Sequence, residues 1–395
     1  MYPTIQLKAG REAATGFRHP WIFSGAIATI PPDLESGALV HVSDRQGRII
    51  GTGTYSKQSS IAVRVFDFKE AIINQAWLTT AIQAAHNRRL LMGYGLDTET
   101  TGYRVVFSEA DNLPGLIIDR YSDVIVLQIS TAGMDALRPL VITACQELFK
   151  PRAIVEKSDL TIRKEEALRP IEAVQQGALN APVEFKEHGL TYLADVINGQ
   201  KTGFFLDQKD LRTAVKNLAK DKTILNLFSY TGATSIAALQ GGATHVQNVD
   251  MSPEALELVQ QQAKLNNFST DQFSTKVADV FQWLNTHQEP SYDLVILDPP
   301  ALTKSKKDSE SAQQAYHFLN RAALRLVKPG GFFVTSSCSH FFSEDDMLFT
   351  LRRASVQAGA TLHVLQSLRQ SADHPLSVYF PESHYLKSYI CQVEK

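Results

Sequence analysis

The alternation of apolar and polar positions changes character along the chain. Up to about residue 70, short apolar runs at 38–42, 48–50 and 61–66 are punctuated by Gly10, Gly16, Gly25, Gly37, Gly47, Gly51 and Gly53. Short strands with regular turns predict a small β-barrel. From 70 to 92 the period lengthens: Ile73, Trp77, Ala81 and Ala84 share one helix face, and Gly93-Tyr-Gly95 ends it. Strands are then expected at 103–107, 116–119 and 124–130, a helix at 136–149 and a strand at 153–156. This is an α+β module spanning 71–190. Its acids Glu109, Asp111 and Asp119 read as turn and cap residues.

Past Asn198 the pattern changes again. Residues 198–208 show no period, and a helix opens with Leu211, Ala214, Val215 and Leu218. Ile224, Leu225 and Leu227 then form an apolar strand, 229–234 a small-residue loop, and an Ala-rich stretch a helix. A second apolar strand ends on Asp250. Ser252 and Pro253 open a helix to 266. A strand at 275–278 ends on Asp279, and one at 293–297 ends on Asp298-Pro-Pro300. A helix at 313–327 stops at Lys328-Pro-Gly-Gly331, and a strand at 332–335 runs into Ser336-Ser-Cys-Ser-His340. After a helix at 343–357, strands at 361–365 and 388–393 close the chain, with a loop at 375–381 between them. Strands separated by helices predict a parallel sheet of α/β class, and the closing pair an antiparallel edge strand. Residues 191–395 thus form the third expected domain.

Composition narrows the reading. A chain of 395 residues is long enough for two or three domains, and 44% apolar content can fill their cores. No run reaches the roughly 18 apolar residues of a membrane span, and the N-terminus lacks an apolar leader core, so a cytoplasmic protein is expected. Three cysteines without C-x-x-C spacing argue against a disulfide frame or a zinc site. At net charge −2, affinity for nucleic acid must come from local patches. Lys8, Arg11 and Arg18 near Trp21 form one, and Lys304, Lys306 and Lys307 another.

Candidate chemistry collects at strand ends, where doubly wound sheets bind ligands. The acid ending the second strand, Asp250, suits ribose hydroxyls. The loop before it holds Gly232 almost alone and lacks the G-x-G-x-x-G of a pyrophosphate site. A cofactor with ribose and no phosphate fits, and S-adenosylmethionine (SAM) is one; any α/β fold with an Asp-ended strand would look similar. Asp279 suits the adenine amine, and Asp298, on a proline-stiffened loop, the reacting centre. The Phe-rich stretch 199–208 reads as a lid or adenine wall, or as a linker packed on the core. Cys338 follows a strand end among hydroxyls and His340, where a thiolate can be exposed and activated. Cys145 and Cys391 sit in apolar segments and read as core. A thiolate is needed for methylation at carbon-5 of a pyrimidine, where attack on carbon-6 activates the acceptor.

Several motifs carry a resemblance: Gly199-Gln-Lys-Thr-Gly-Phe-Phe-Leu-Asp-Gln208, Phe228-Ser-Tyr-Thr-Gly232, Val249-Asp-Met-Ser-Pro-Glu-Ala-Leu256, Leu297-Asp-Pro-Pro300 and Ser337-Cys-Ser-His340. With His19-Pro-Trp-Ile-Phe-Ser-Gly25 and the stretch 103–121, the chain resembles bacterial 23S rRNA cytosine-carbon-5 methyltransferases with an N-terminal PUA-type domain. The resemblance implies a PUA-like β-barrel over 1–70, a central α+β domain, and a seven-stranded Rossmann-like class I methyltransferase domain. It implies SAM as methyl donor, ribosomal RNA as partner and Cys338 as nucleophile, with Asp298 beside it. Phe205, Gln208, Phe228 and Gly232 would border SAM alongside Asp250 and Asp279. No metal or membrane is implied, and a second copy of the chain stands as a candidate partner. Two other readings remain. A base-amine methyltransferase would use Asp298-Pro-Pro, although Ala301 stands where that motif has a stacking aromatic. An RNA-binding assembly factor would keep the fold without the reaction.

Overall fold

A computed structural model of the protein describes residues 2–179, 182–302, 309–339 and 341–395. The chain divides into two units, each interrupted in sequence. The first comprises Met1–Gly189, Leu193–Leu206 and Ala372–Ser383; the second comprises Leu190–Tyr192, Asp207–Ser371 and His384–Lys395.

The first unit opens with a six-stranded sheet, in the order Trp21–Phe23, Ile61–Asp67, Ile49–Tyr55, Leu39–Ser43, Thr4–Leu7, Ile27–Thr29. Alternate apolar residues of these strands, among them Ile5, Val40, Val42, Val63 and Val65, fill one core. A Cβ on Gly53 would lie 2.1 Å from the Arg64 carbonyl oxygen, so only glycine lets these two strands meet at their register shift. A five-stranded sheet follows, ordered Ile171–Gly177, Ala153–Ser158, Val124–Ile129, Leu116–Tyr121, Gly102–Phe107. Helices Gln75–Leu90 and Arg138–Phe149 share its apolar core.

Of the three acids, Glu109 and Asp111 do lie in a turn, Ser108–Asp111, where Asp111 also accepts from the Phe107 amide at 2.7 Å, whereas Asp119 lies within a strand; all three have partners beyond that local role. Asp111 is buried and accepts from Arg89 Nη1 and Nη2 at 2.8 and 2.7 Å and from Arg88 at 2.6 Å. Asp119 is clasped by Arg104 Nε and Nη2, both at 2.8 Å, and by the Thr202 hydroxyl at 2.6 Å. Glu109 accepts from Trp21 Nε1 at 2.8 Å. Burial demands such partners, and these partners come from distant segments.

In the second unit we label the strands β1 (Thr223–Leu227), β2 (His245–Asp250), β3 (Phe273–Val277), β4 (Tyr292–Leu297), β5 (Val327–Ser337), β6 (Thr361–Leu368) and β7 (Lys387–Glu394). Their order is β3-β2-β1-β4-β5-β7-β6. β1 to β5 are mutually parallel, and β7 runs antiparallel to both neighbours. The antiparallel strand therefore lies inside the sheet, and β6 takes the edge that the sequence assigned to it. A second correction concerns Lys328-Pro-Gly-Gly331. β5 already begins at Val327, and the glycines fall at a register shift against β4 and do not form a free turn. Helices Ala233–Gln240, Pro253–Leu265, Val280–Thr286, Ser309–Arg325 and Glu344–Ala358 connect the strands. Leu225, Val249, Val295, Leu297 and Phe333 pack with Trp283, Leu319 and Leu351 in the core. Among the described residues no helix is long and apolar enough to cross a membrane.

Candidate active site

The loop after β1 holds a run of left-handed backbone. Phe228, Tyr230 and Gly232 have φ of 57°, 48° and 71°, three left-handed residues within five positions. For the two non-glycines that conformation costs about 1–3 kcal/mol each. Three contacts hold it. Asp250, at the end of β2, accepts from the Tyr230 amide through Oδ2 (2.8 Å) and from the Ser252 amide through Oδ1 (3.0 Å). The Gln262 side chain donates to the Thr231 carbonyl at 2.5 Å. Gly232 lies so close to the helix Pro253–Leu265 that a Cβ would sit 2.7 Å from Val259 Cγ2. Beneath the loop, Ser235 Oγ bridges the buried Asn226 (2.9 Å) and Asn248 (2.6 Å), locking β1, β2 and the helix between them together.

This strained loop leaves acceptors unused. Ser229 Oγ and Thr231 Oγ1 are buried and have no hydrogen-bond partner. Buried hydroxyls are normally satisfied, and a polar ligand or a water seated at the loop would satisfy these two. That fits SAM, whose ribose and methionyl groups supply several donors and acceptors. The end of β3 lies alongside, where the Ala278 amide donates to the Asp250 carbonyl at 2.9 Å. Asp279 is exposed and caps helix Val280–Thr286, accepting from the Gln282 amide at 3.1 Å through Oδ1. Phe228 is half-buried, its ring 6.1 Å from that of Phe281.

Asp298, after β4, is engaged by Gln208 Nε2 at 2.7 Å. Burial of its carboxyl pushes its pKa up to about 6; the Gln208 bond and Arg212 oppose this, and the charge of Asp207 adds to it. Asp207 is itself tied down: Tyr385 donates to its Oδ2 at 2.5 Å, and Ser371 donates to its carbonyl at 2.8 Å from the amide and 2.9 Å from the hydroxyl. Lys209 and Arg212, both buried, start the helix Lys209–Leu218. The sequence reading found Gln208 in this group and missed Asp207, Lys209, Arg212 and Tyr385. The available signal was a charged run, Asp207-Gln-Lys-Asp-Leu-Arg212, directly after a Phe-rich loop. Phe205 is half-buried and belongs to the first unit, whereas Gln208 belongs to the second.

Cys338 follows β5 and is half-buried. Its neighbours are held by hydroxyls. Tyr316 OH accepts from Ser337 Oγ and meets Ser339 Oγ, both at 2.9 Å, and Tyr316 stacks on Phe342 at 4.5 Å. Lys387 of β7 is 6% exposed and donates from Nζ to the Ser339 carbonyl at 2.8 Å. Burial lowers the Lys387 pKa from its ordinary value, and the sulfur of Cys338 opposes that shift. Burial likewise raises the Tyr316 pKa, and Cys338 adds to the rise. A cation and a phenol thus both sense the thiol. His340 and Lys304, Lys306 and Lys307 lie outside the described residues. Cys145 and Cys391 are buried, with thiols pushed up to about 12 by burial, as expected of core cysteines. Because β4 and β5 are parallel neighbours, with Leu297 opposite Thr335, Asp298 and Cys338 leave the same edge of the sheet on adjacent strands.

Residues 165–378 match the S-adenosylmethionine-dependent methyltransferase family and residues 5–68 a PUA-like domain. Ribosomal RNA large subunit methyltransferase I of Klebsiella pneumoniae (strain 342) is 36% identical over 399 aligned residues, covering 100% of this chain and 99% of that protein. The protein of the same name from Serratia proteamaculans (strain 568) is 38% identical, covering 98% of each. Among solved structures, a methyltransferase complexed with SAH, SMU.776, superimposes with a TM-score of 0.84 at 23% identity over 99% of this chain and 100% of that one. A SAM-dependent methyltransferase from Streptococcus mutans gives a TM-score of 0.82 at 22% identity, again over 99% and 100%. The two family matches and the full-length relatives above 30% identity lead to one assignment: the chain belongs to the SAM-dependent methyltransferase family of the ribosomal RNA large subunit methyltransferases I, with a PUA-like domain at its N-terminus.

Proposed function

We propose that the protein methylates carbon-5 of a cytidine in large-subunit (23S) ribosomal RNA, with Cys338 as the nucleophile. The observation that carries this reading is the half-exposed thiol beside Lys387 and Tyr316, on the strand next to Asp298. An oxygen or amine acceptor needs no such thiol. The rRNA substrate rests on the full-length relatives, which are named for it. Residues 1–70 and 71–190 are assigned to holding the RNA and linking it to the catalytic domain at 191–395.

SAM, when bound, supplies an electrophilic methyl group. Asp250 is assigned to the ribose hydroxyls, Asp279, through the oxygen its cap leaves free, to the adenine amine, and Phe205, Gln208, Phe228 and Gly232 to the cofactor's border. On the RNA side, the Cys338 thiolate forms a bond to carbon-6 and pushes the ring electrons toward carbon-5, which takes the methyl group. Removal of the carbon-5 proton then returns the electrons and expels the thiolate, restoring the aromatic ring. Lys387 favours the charged thiolate over the thiol. Asp298, whose buried carboxyl is raised to about 6 before the cofactor binds, is assigned to the side of the reacting centre, where its charged form faces the cationic methyl donor.

The test is a substrate RNA carrying 5-fluorocytidine at the target position. Methylation proceeds but fluorine cannot leave as a cation, so the protein remains covalently joined to the RNA through Cys338. Cys338→Ala should lose turnover and adduct while binding SAM nearly as wild type; Cys145→Ala and Cys391→Ala should keep both activities. An active wild-type enzyme that forms no adduct would move the assignment to a base amine. Absence of any SAM binding would favour an assembly factor.

A further inference from the structure

We infer that residues 376–379, in the connection between β6 and β7, complete a stacking surface for single-stranded RNA together with residues 17–23 of the six-stranded sheet domain. The inference rests on the rRNA reading above and adds where unpaired nucleotides are gripped.

The surface begins with apolar groups that folding has left in water. Phe17 is 80% exposed, Phe23 50%, Val378 87% and Tyr379 47%. Single exposed apolar residues are ordinary, but exposed apolar groups on two segments that contact each other across more than 350 positions make a candidate interaction surface. The two segments are joined by contacts. The Arg18 guanidinium lies 5.7 Å over the Tyr379 ring, and Arg18 is held at φ 58°, an unfavourable backbone for an arginine. Phe380 packs edge-on to Trp21 at 4.8 Å, and His19 Nε2 meets Glu382 Oε2 at 3.4 Å.

The connection is also anchored upstream. The Asp373 carbonyl accepts from Arg89 Nη2 at 2.7 Å, and its carboxylate accepts from the Arg104 amide at 2.9 Å. Its turn is closed internally, since Ser383 Oγ accepts from the Ser377 amide at 3.0 Å and donates to the Phe380 carbonyl at 2.6 Å. Val378 and Tyr379 are therefore displayed on a fixed turn. Rigid display of apolar rings loses little ordering entropy when a partner arrives.

Charge selects the occupant. Arg18 is exposed over the Tyr379 ring, and Lys8 and Arg11 are exposed on the same N-terminal stretch, with Lys8 Nζ donating to the Gly25 carbonyl at 2.9 Å. The nearby acids Glu109 and Glu382 are engaged by Trp21 and His19. Flat rings bordered by cations fit bases that stack and phosphates that need neutralising.

The test uses the full chain and a fluorescently labelled oligouridylate of about 12 nucleotides, within the length range such surfaces hold. Anisotropy titration should show affinity falling about tenfold for Tyr379→Ala and again for Phe17→Ala, while Tyr379→Phe, which keeps the ring, binds as wild type. Arg18→Ala should shrink the log–log salt slope by about 0.7. Calorimetric SAM affinity and the thermal midpoint should stay unchanged, which separates lost stacking from lost folding. If wild type binds no RNA of any kind, the rRNA reading itself fails. If wild type binds and Tyr379→Ala and Phe17→Ala bind equally well, this surface is overturned. A wild-type dimer in sedimentation that Tyr379→Ala dissolves would assign the surface to a second copy of the chain and overturn it as well.

Discussion

Replacing Asp298 with Asn tests the electrostatics of the site without disturbing its shape. The side chains are isosteric, and Gln208 Nε2 keeps an oxygen to donate to. Burial of the carboxyl raises its pKa from the ordinary 3.8 to about 6. At roughly 1.4 kcal/mol per pH unit, ionising it in the folded chain costs about 3 kcal/mol that the unfolded chain does not incur. The sign follows from proton binding. Below the unfolded pKa both states are protonated and the wild type suffers no penalty. As pH rises towards 6 the folded state must give up a proton it holds more tightly than the unfolded state, and stability is lost. Above 6 the loss is complete. Asp298→Asn has no proton to lose, so it should gain on wild type by up to about 3 kcal/mol between about pH 4 and pH 7. Urea melts of both proteins without cofactor, in half-unit pH steps, measure this directly. The cationic cofactor favours the charged carboxylate, so SAM binding at about pH 5 should release a proton in the wild type and none in Asp298→Asn. Calorimetry in buffers of different ionisation heat reads that release. A stability difference between the two proteins that is flat from about pH 4 to about pH 7 would refute the buried-carboxyl account.

Asp250→Ala should weaken SAM binding about tenfold or more by calorimetry, and should also lower the melting temperature because the Tyr230 and Ser252 amides lose their acceptor. Gly232→Ala should destabilise the cofactor-free protein by about 2 kcal/mol in urea melts, from the left-handed φ of 71° and the 2.7 Å approach to Val259. A neutral result would mean that helix Pro253–Leu265 can retreat. Lys387→Met should raise the apparent pKa of Cys338 in the pH profile of iodoacetamide labelling, while Lys387→Arg keeps it near wild type. Identical profiles would remove the lysine from thiol activation.

The sequence shows the framework of this site more clearly than its wiring. Asp250, Asp279, Asp298 and Cys338 are legible because each ends or follows a strand, and strand ends are where an α/β sheet presents chemistry. The loop around Gly232 is legible because small residues between a strand and an Ala-rich helix leave few other conformations. What escapes depends on long-range contact. Strand Ile171–Gly177 is a polar edge with exposed positions on both faces, so no alternation marks it. β7 sits between β5 and β6 because of pairing across the sheet, which nothing local encodes. Lys209 and Arg212 stand in a charged run that nothing local marks as buried, and Asp111 and Asp119 read as turn and cap residues. Their burial is tolerable only beside partners up to 83 positions away, such as Thr202 against Asp119. The Lys387 ammonium belongs to the same class, reaching the loop of Cys338 from 48 positions on.

The interleaving of the two units dictates when each can be finished. The six- and five-stranded sheets of the first unit and the helices packed on them are complete in sequence by Gly177, yet Arg89 and the Arg104 amide wait for Asp373, and Trp21 waits for Phe380. The seven-stranded sheet waits as well, because β6 joins it through β7 at Lys387–Glu394. A nascent chain emerging N-terminus first therefore holds both units open until one stretch, 372–394, leaves the ribosome. Completion of the barrel-bearing unit and of the catalytic sheet is then a single late event. A chain broken off before that stretch leaves neither unit whole.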